Sequence, residues 1–271
     1  MKNIVFLGAS NTYGVGLWFF RDFYQKEDIK EIPWPYTQNY EDDIFCKKNR
    51  FSTLLSHSLN LKEINLSRAG GSPALSLHLL KKLNIDDIDY VIFEFSSIFS
   101  FFDSYFFEHE IDETVLPKTP SEIESFLTNN KNDRPDLRDK IEKWLIKFDA
   151  EEFTSETFKT IKNFISDNPK LKFIILIWRG TGFKSFKFDT DEYSWILNYS
   201  PKFSIQKNKN NILVEDYLVE NNLTVYSEFK NYNKIKIPNR IPDLHPSLNG
   251  HKKLFELLKN YIDEKNSTNS W

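Results

Sequence analysis

Ser10 closes the run "IVFLGAS" near the start of the chain, and Asp243 and His245 stand two positions apart in "IPDLHPSLNGHKKL" near its other end. Those three side-chain types can together do nucleophilic chemistry. A serine hydroxyl is a poor nucleophile at neutral pH until an imidazole within hydrogen-bond reach takes its proton, and the imidazole in turn needs a carboxylate to orient it. In an extended Asp-Leu-His both polar side chains point one way and Leu244 the other. Asp243 can then accept from one ring nitrogen of His245 and leave the second free for the serine. Pro246 stiffens the loop, and Ser247, Asn249 and Gly250 signal a helix start just beyond it. For Ser10 taken alone, the competing reading is a small residue that caps a turn.

Two glycine-based alternatives fail on spacing. A dinucleotide fingerprint requires G-x-G-x-x-G, but Gly14-Val15-Gly16 is followed by Leu17, Trp18 and Phe19. A phosphate-binding loop requires Gly-Lys before Ser or Thr, and residues 8–16 contain no lysine. Among the other histidines, His251 begins the last helix, where packing or capping suits it better than chemistry. His57 and His78 fall in amphipathic helical stretches and His109 in an insertion. Their spacing with the carboxylates matches no metal set, so neither metal nor cofactor is expected.

To position such a site the chain must supply strands with their ends at one edge. Strand character, from β-branched and aromatic enrichment, is found at 4–7, 63–66, 90–95 and 173–178, with a fifth run near 224–226. Helical periods lie at 51–59, 74–83, 141–146, 157–166 and 250–261. Nearly all-apolar strands alternating with helices imply an α/β fold with a parallel sheet covered on both faces. In such sheets ligands bind beyond the carboxyl ends of the strands, which puts Ser10 at the mouth of a site. The reading is one domain over 1–264, with insertions at about 17–50 and 98–140 and a frayed polar tail at 265–271.

Composition narrows the function classes. The 271 residues suffice for one large α/β domain, and a net charge of -3 gives no electrostatic reason to expect nucleic acid or an anionic membrane as partner. No apolar stretch is long enough to cross a bilayer, and the start lacks the apolar core of a signal peptide. The single cysteine, Cys46, permits no internal disulfide, so a cytoplasmic location is expected, with the oligomeric state left open.

"FLGASNTYG" together with "DLHPSLNGH" resembles the first and last blocks of the SGNH, or GDSL-like, hydrolase superfamily. The resemblance implies a flavodoxin-like three-layer α/β/α domain and serine ester hydrolysis of small acyl or acetyl esters, carbohydrate esters among them. It makes Ser10 the nucleophile, His245 the base and Asp243 the orienting acid. "NLSRAGG", residues 65–71, is similar to the family's second block. That match makes the amides of Gly70 and Ser10 oxyanion donors, and a glycine amide after a strand can approach a developing oxyanion unobstructed.

The chain departs from the family pattern at three places. It reads Gly8-Ala9-Ser10 for Gly-Asp-Ser, has Pro242 where the acid usually stands, and has "SSIFSFFD" where the third block places an oxyanion-hole asparagine. Ser96 or Ser97 is a candidate for that missing donor, as are Asn11 and Arg179. Asn11, Arg68 and Arg179 are candidates for substrate contacts, the two arginines for an anionic group. Loss of one oxyanion donor costs about 3 kcal/mol of transition-state stabilisation. The departures therefore keep two alternatives open: a catalytically weak or silent fold acting as a binding module, and an acyltransferase using the same serine.

Overall fold

The computed structural model describes residues 2–9, 44–67, 73–95, 150–177, 214–230 and 245–269, together with Thr12, Gly14, Gly16, Leu17 and Phe20. Four of the expected runs form strands: β1 (Asn3–Leu7), β2 (Lys62–Asn65), β3 (Ile88–Phe95) and β4 (Lys172–Ile177). They pair in the order β2-β1-β3-β4, every pair parallel. This is the flavodoxin-like order: the chain steps from β1 to one side, then crosses back over it. The reversal leaves a crevice at the carboxyl ends of β1 and β3, and Ser10 follows β1 directly in sequence.

Period-two alternation splits the strand residues between two cores. Val5, Leu7, Val91, Phe93, Phe173 and Ile175 face one way, against α3 (Pro73–Lys81) and α4 (Ala150–Asp167). Ile4, Phe6, Tyr90, Ile92, Ile174 and Leu176 face the other. There they meet Phe51 and Leu55 of α2 (Phe51–Ser58), Val214 and Leu218 of α5 (Val214–Glu220), and Leu254, Leu258 and Ile262 of α7 (Leu248–Thr268). The architecture is therefore three layers, α/β/α, with a parallel sheet in the middle, as the alternation predicts. Burying each Leu, Ile or Phe this fully contributes about 1.5–3 kcal/mol.

Two expectations about elements change. The run at 224–226 is no strand: Thr224 makes a single antiparallel bridge to Pro246, and α6 (Val225–Lys230) begins at the next residue. The Thr224 hydroxyl accepts from the Ser227 amide at 3.2 Å, a helix-capping bond that outweighs β-branched propensity. Nor is the tail frayed from 265 onward, because α7 continues to Thr268 and closes at Asn269 in a left-handed conformation, φ 48°. In the described part of 17–50, α1 (Ile44–Asn49) is a helix, and Leu17 and Phe20 are buried. The helix expected at 141–146 and the insertion at 98–140 lie outside the described residues. Among the described residues no helix is long and apolar enough to cross a membrane.

Candidate active site

The turn after β1 is shaped by what lies opposite it. Register pairs Phe6 with Ile92 and Leu7 with Phe93, so one step further sets Gly8 against Glu94. A Cβ on Gly8 would lie 2.4 Å from the Glu94 Cβ and 2.6 Å from its Oε2, contacts no side chain tolerates. Gly8 also has φ +157°, a conformation that L residues rarely adopt. With no side chain there, the buried Glu94 carboxylate lies beneath the turn. Its Oε2 accepts from the Ala9 amide at 3.2 Å and from the Thr12 amide at 2.9 Å. Ala9 and Thr12 bracket Ser10 in sequence.

Thr12 is held from the other neighbouring strand as well. The Asn65 amide group, at the end of β2, donates to the Thr12 carbonyl at 3.4 Å and to the Ser52 hydroxyl at 3.1 Å. Asn65 Oδ1 accepts from the Ser67 amide at 3.0 Å and from the Ser67 hydroxyl, an Asx turn that starts the "NLSRAGG" segment. The asparagine leading this segment thus ties the turn after β2 to the segment after β1.

The loop carrying His245 is built against residues 223–225. The Val225 amide donates to the His245 carbonyl and the Ser247 amide to the Leu223 carbonyl, each at 2.9 Å. Ser247 then caps α7, its hydroxyl accepting from the Gly250 amide at 3.0 Å. From the amino-terminal side this loop meets Gly16. A Cβ there would stand 2.2 Å from the Pro246 carbonyl oxygen and 3.1 Å from the His245 Cβ. Gly14, by contrast, serves turn geometry, with φ +98° and room around it. The half-buried His245 and the segment following Ser10 therefore share one end of the sheet.

His251 has the packing role its position suggests. It is fully buried, stacked on Phe51 with ring centroids 5.8 Å apart, and its Nδ1 accepts from the Phe51 amide at 3.4 Å. It so caps α2, whose own N-cap residue, Arg50, makes no side-chain cap bond. Burial, then repulsion from His245 and Arg50, lowers the His251 pKa from 6.5 to about 3. The ring stays neutral at physiological pH, whereas His245 is only half-buried. His57 lies on an exposed position of α2 and His78 in the last turn of α3.

Of the residues expected in the site, Ser10, Asn11, Arg68, Gly70, Ser96, Ser97, Arg179 and Asp243 lie outside the described residues, as does His109. Among the described residues no three His, Cys, Asp or Glu side chains gather as a metal site would require. Sequence reasoning passed over Glu94, although a charge inside the apolar run "YVIFEF" was a signal. Gly16, considered there for a dinucleotide fingerprint, matters because its lack of a side chain admits the His245 loop.

Comparison with proteins of known structure finds similar folds. The chain is similar to GDSL-type lipolytic proteins and esterases. One is a G-D-S-L family protein from Desulfitobacterium hafniense DCB-2, described as lipolytic: 13% identity, TM-score 0.43, covering 96% of this chain and 99% of that one. A carbohydrate esterase whose active site displays divergent catalytic and non-catalytic binding functions matches at 13% identity and TM-score 0.37, over 97% of this chain and 65% of that one. The lipase/acylhydrolase from Enterococcus faecalis matches at 14% and TM-score 0.36, over 98% and 97%. No protein-family model matches the chain, and no curated protein does.

Proposed function

We propose that this protein is a serine esterase of SGNH type that hydrolyses small acyl or acetyl esters, carbohydrate esters among them. His245, oriented by Asp243, takes the Ser10 proton as Ser10 attacks the ester carbonyl. The amides of Ser10 and Gly70, with Ser96 or Ser97, hold the tetrahedral oxyanion. Its collapse expels the alcohol, which takes the proton back from His245, and water then releases the acyl group with His245 again as base. Asn11, Arg68 and Arg179 contact the substrate, and the chemistry needs no cofactor.

The observation that carries this reading is the packing of Gly16 against the Pro246 carbonyl and the His245 Cβ. Gly16, six residues past Ser10 in sequence, thus adjoins the loop of His245, a contact between distant segments that a Ser-His pairing would require. The flavodoxin-like strand order, with its crevice at the ends of β1 and β3, supports it further.

The test is to treat the purified protein with a fluorophosphonate and read intact and peptide masses beside Ser10→Ala. One adduct on Ser10, absent from the variant, is expected, followed by turnover on acetylated sugars and short esters. A folded protein that takes no adduct would sink the mechanism. The second reading, a silent binding module, is favoured by the missing third-block asparagine and would then stand in its place.

A further inference from the structure

We propose that Glu94 is a positioning residue for the nucleophile turn, an inference that rests on the reading of Ser10 as nucleophile. In β3 the positions on its face of the sheet run Tyr90, Ile92, Glu94, and the first two pack into the core with α2 and α7. Packing alone would have called for a third apolar side chain. Instead a carboxylate is 1% exposed there, and a buried carboxylate is costly unless hydrogen bonds compensate it. Two of those bonds come from the main chain of the turn itself, from the Ala9 and Thr12 amides, one on each side of Ser10.

Both amides converge on the same oxygen, so Ala9 and Thr12 share one fixed point on the neighbouring strand. Bonds to an ionised acceptor are roughly twice as strong as neutral ones, which makes this a stiff attachment. Gly8 completes it, since any side chain at that position would occupy the space of the carboxylate. Stiffness matters at this turn because attack on a carbonyl tolerates little displacement of the attacking oxygen. In this scheme Glu94 acts through the backbone amides of Ala9 and Thr12.

The test compares wild type with Glu94→Leu, which removes the acceptor, and Glu94→Gln, which keeps an oxygen for both amides but removes the charge. Four quantities are read: the fluorophosphonate labelling rate of Ser10, kcat and KM on a short ester, the thermal midpoint, and hydrogen exchange at the Ala9 and Thr12 amides. Glu94→Leu is expected to lower the labelling rate and kcat about a hundredfold with KM little changed, and to release both amides to exchange. Glu94→Gln should fall between, near tenfold, and it carries the test if the leucine variant does not fold. A folded variant that labels at the wild-type rate, or a folded Glu94→Leu protein that keeps both amides protected, overturns the positioning role. A wild type that takes no label overturns the nucleophile reading first, and the exchange data then decide by themselves whether Glu94 holds the turn.

Discussion

Gly16 lies so close to Pro246 that a Cβ on the glycine would sit 2.2 Å from the proline carbonyl oxygen. The obstacle is backbone, which cannot rotate aside as a side-chain tip could. Gly16→Ala should therefore push the His245 loop from the amino-terminal segment. The expected result is a loss of about 1–3 kcal/mol in urea unfolding, together with a drop in esterase turnover larger than the stability change explains. Wild-type stability and turnover in the variant would show that the two segments are not in contact.

The three amino-terminal glycines should respond differently. Gly8→Ala meets the Glu94 Cβ and Oε2 in the interior of the sheet and should cost at least about 1–3 kcal/mol. Gly14→Ala meets Arg50 and Leu17 at an ordinary 3.5 Å, so only the strain of φ +98° remains, about 1–2 kcal/mol. Thermal or urea midpoints of the variants rank them directly; equal midpoints for Gly8→Ala and wild type would contradict the close approach of Glu94.

Substitutions in the proposed triad should separate catalysis from folding. Two bonds that hold the His245 loop run through its main chain, from Val225 to the His245 carbonyl and from Ser247 to Leu223, and truncating the imidazole leaves those two in place. His245→Ala should lower kcat about a millionfold. Asp243→Asn should lower it about ten-thousandfold, with the thermal midpoint nearly unmoved in both. A folded His245→Ala protein with wild-type turnover would remove the base from the scheme.

Stability should weaken in mild acid because of His251. Its folded pKa of about 3 lies below the ordinary 6.5, so between those values the unfolded chain binds a proton that the folded one does not. The contribution of this residue is full above about pH 6.5 and is lost progressively as pH falls toward 3. His251→Leu removes the titration. The stability gap between wild type and variant, from urea unfolding at several pH values, should shrink by on the order of a few kcal/mol on acidification. A gap that stays constant from pH 7.5 to 4 would mean that the ring is protonated in the folded state.

The sheet was legible because β1, β3 and β4 are largely apolar runs, and burial on both faces leaves that pattern little freedom; β2, Lys62–Asn65, is a more polar edge strand. Thr224 to Tyr226 shows the limit. Read by residue type they suit a strand, yet the Thr224 hydroxyl caps a helix and its backbone reaches Pro246 only once. The tail shows another. Asn266 exchanges hydrogen bonds with the Tyr90 hydroxyl and accepts from the Lys172 ammonium at 3.2 Å, and these partners on β3 and β4 hold the last turns of α7 in place. No local pattern around residue 266 encodes partners so distant. In the site, Ser10 and His245 stood out by type and spacing, whereas Glu94 needed the pairing of β1 with β3 to acquire a meaning.

The amide of Phe51 and the ring of His251 bond across 200 residues of chain, and Gly16 waits on Pro246 over a still longer interval. During synthesis the amino-terminal part of a chain emerges first, at roughly 5–20 residues per second. β1 can find β2 and β3 while later segments are still being made, but the loop of His245, the proposed base, follows more than 200 residues after Ser10. A growing chain therefore displays its serine for many seconds without an imidazole behind it. The proposed pairing of Ser10 with His245 is therefore a late event in synthesis, dependent on segments made long after the serine.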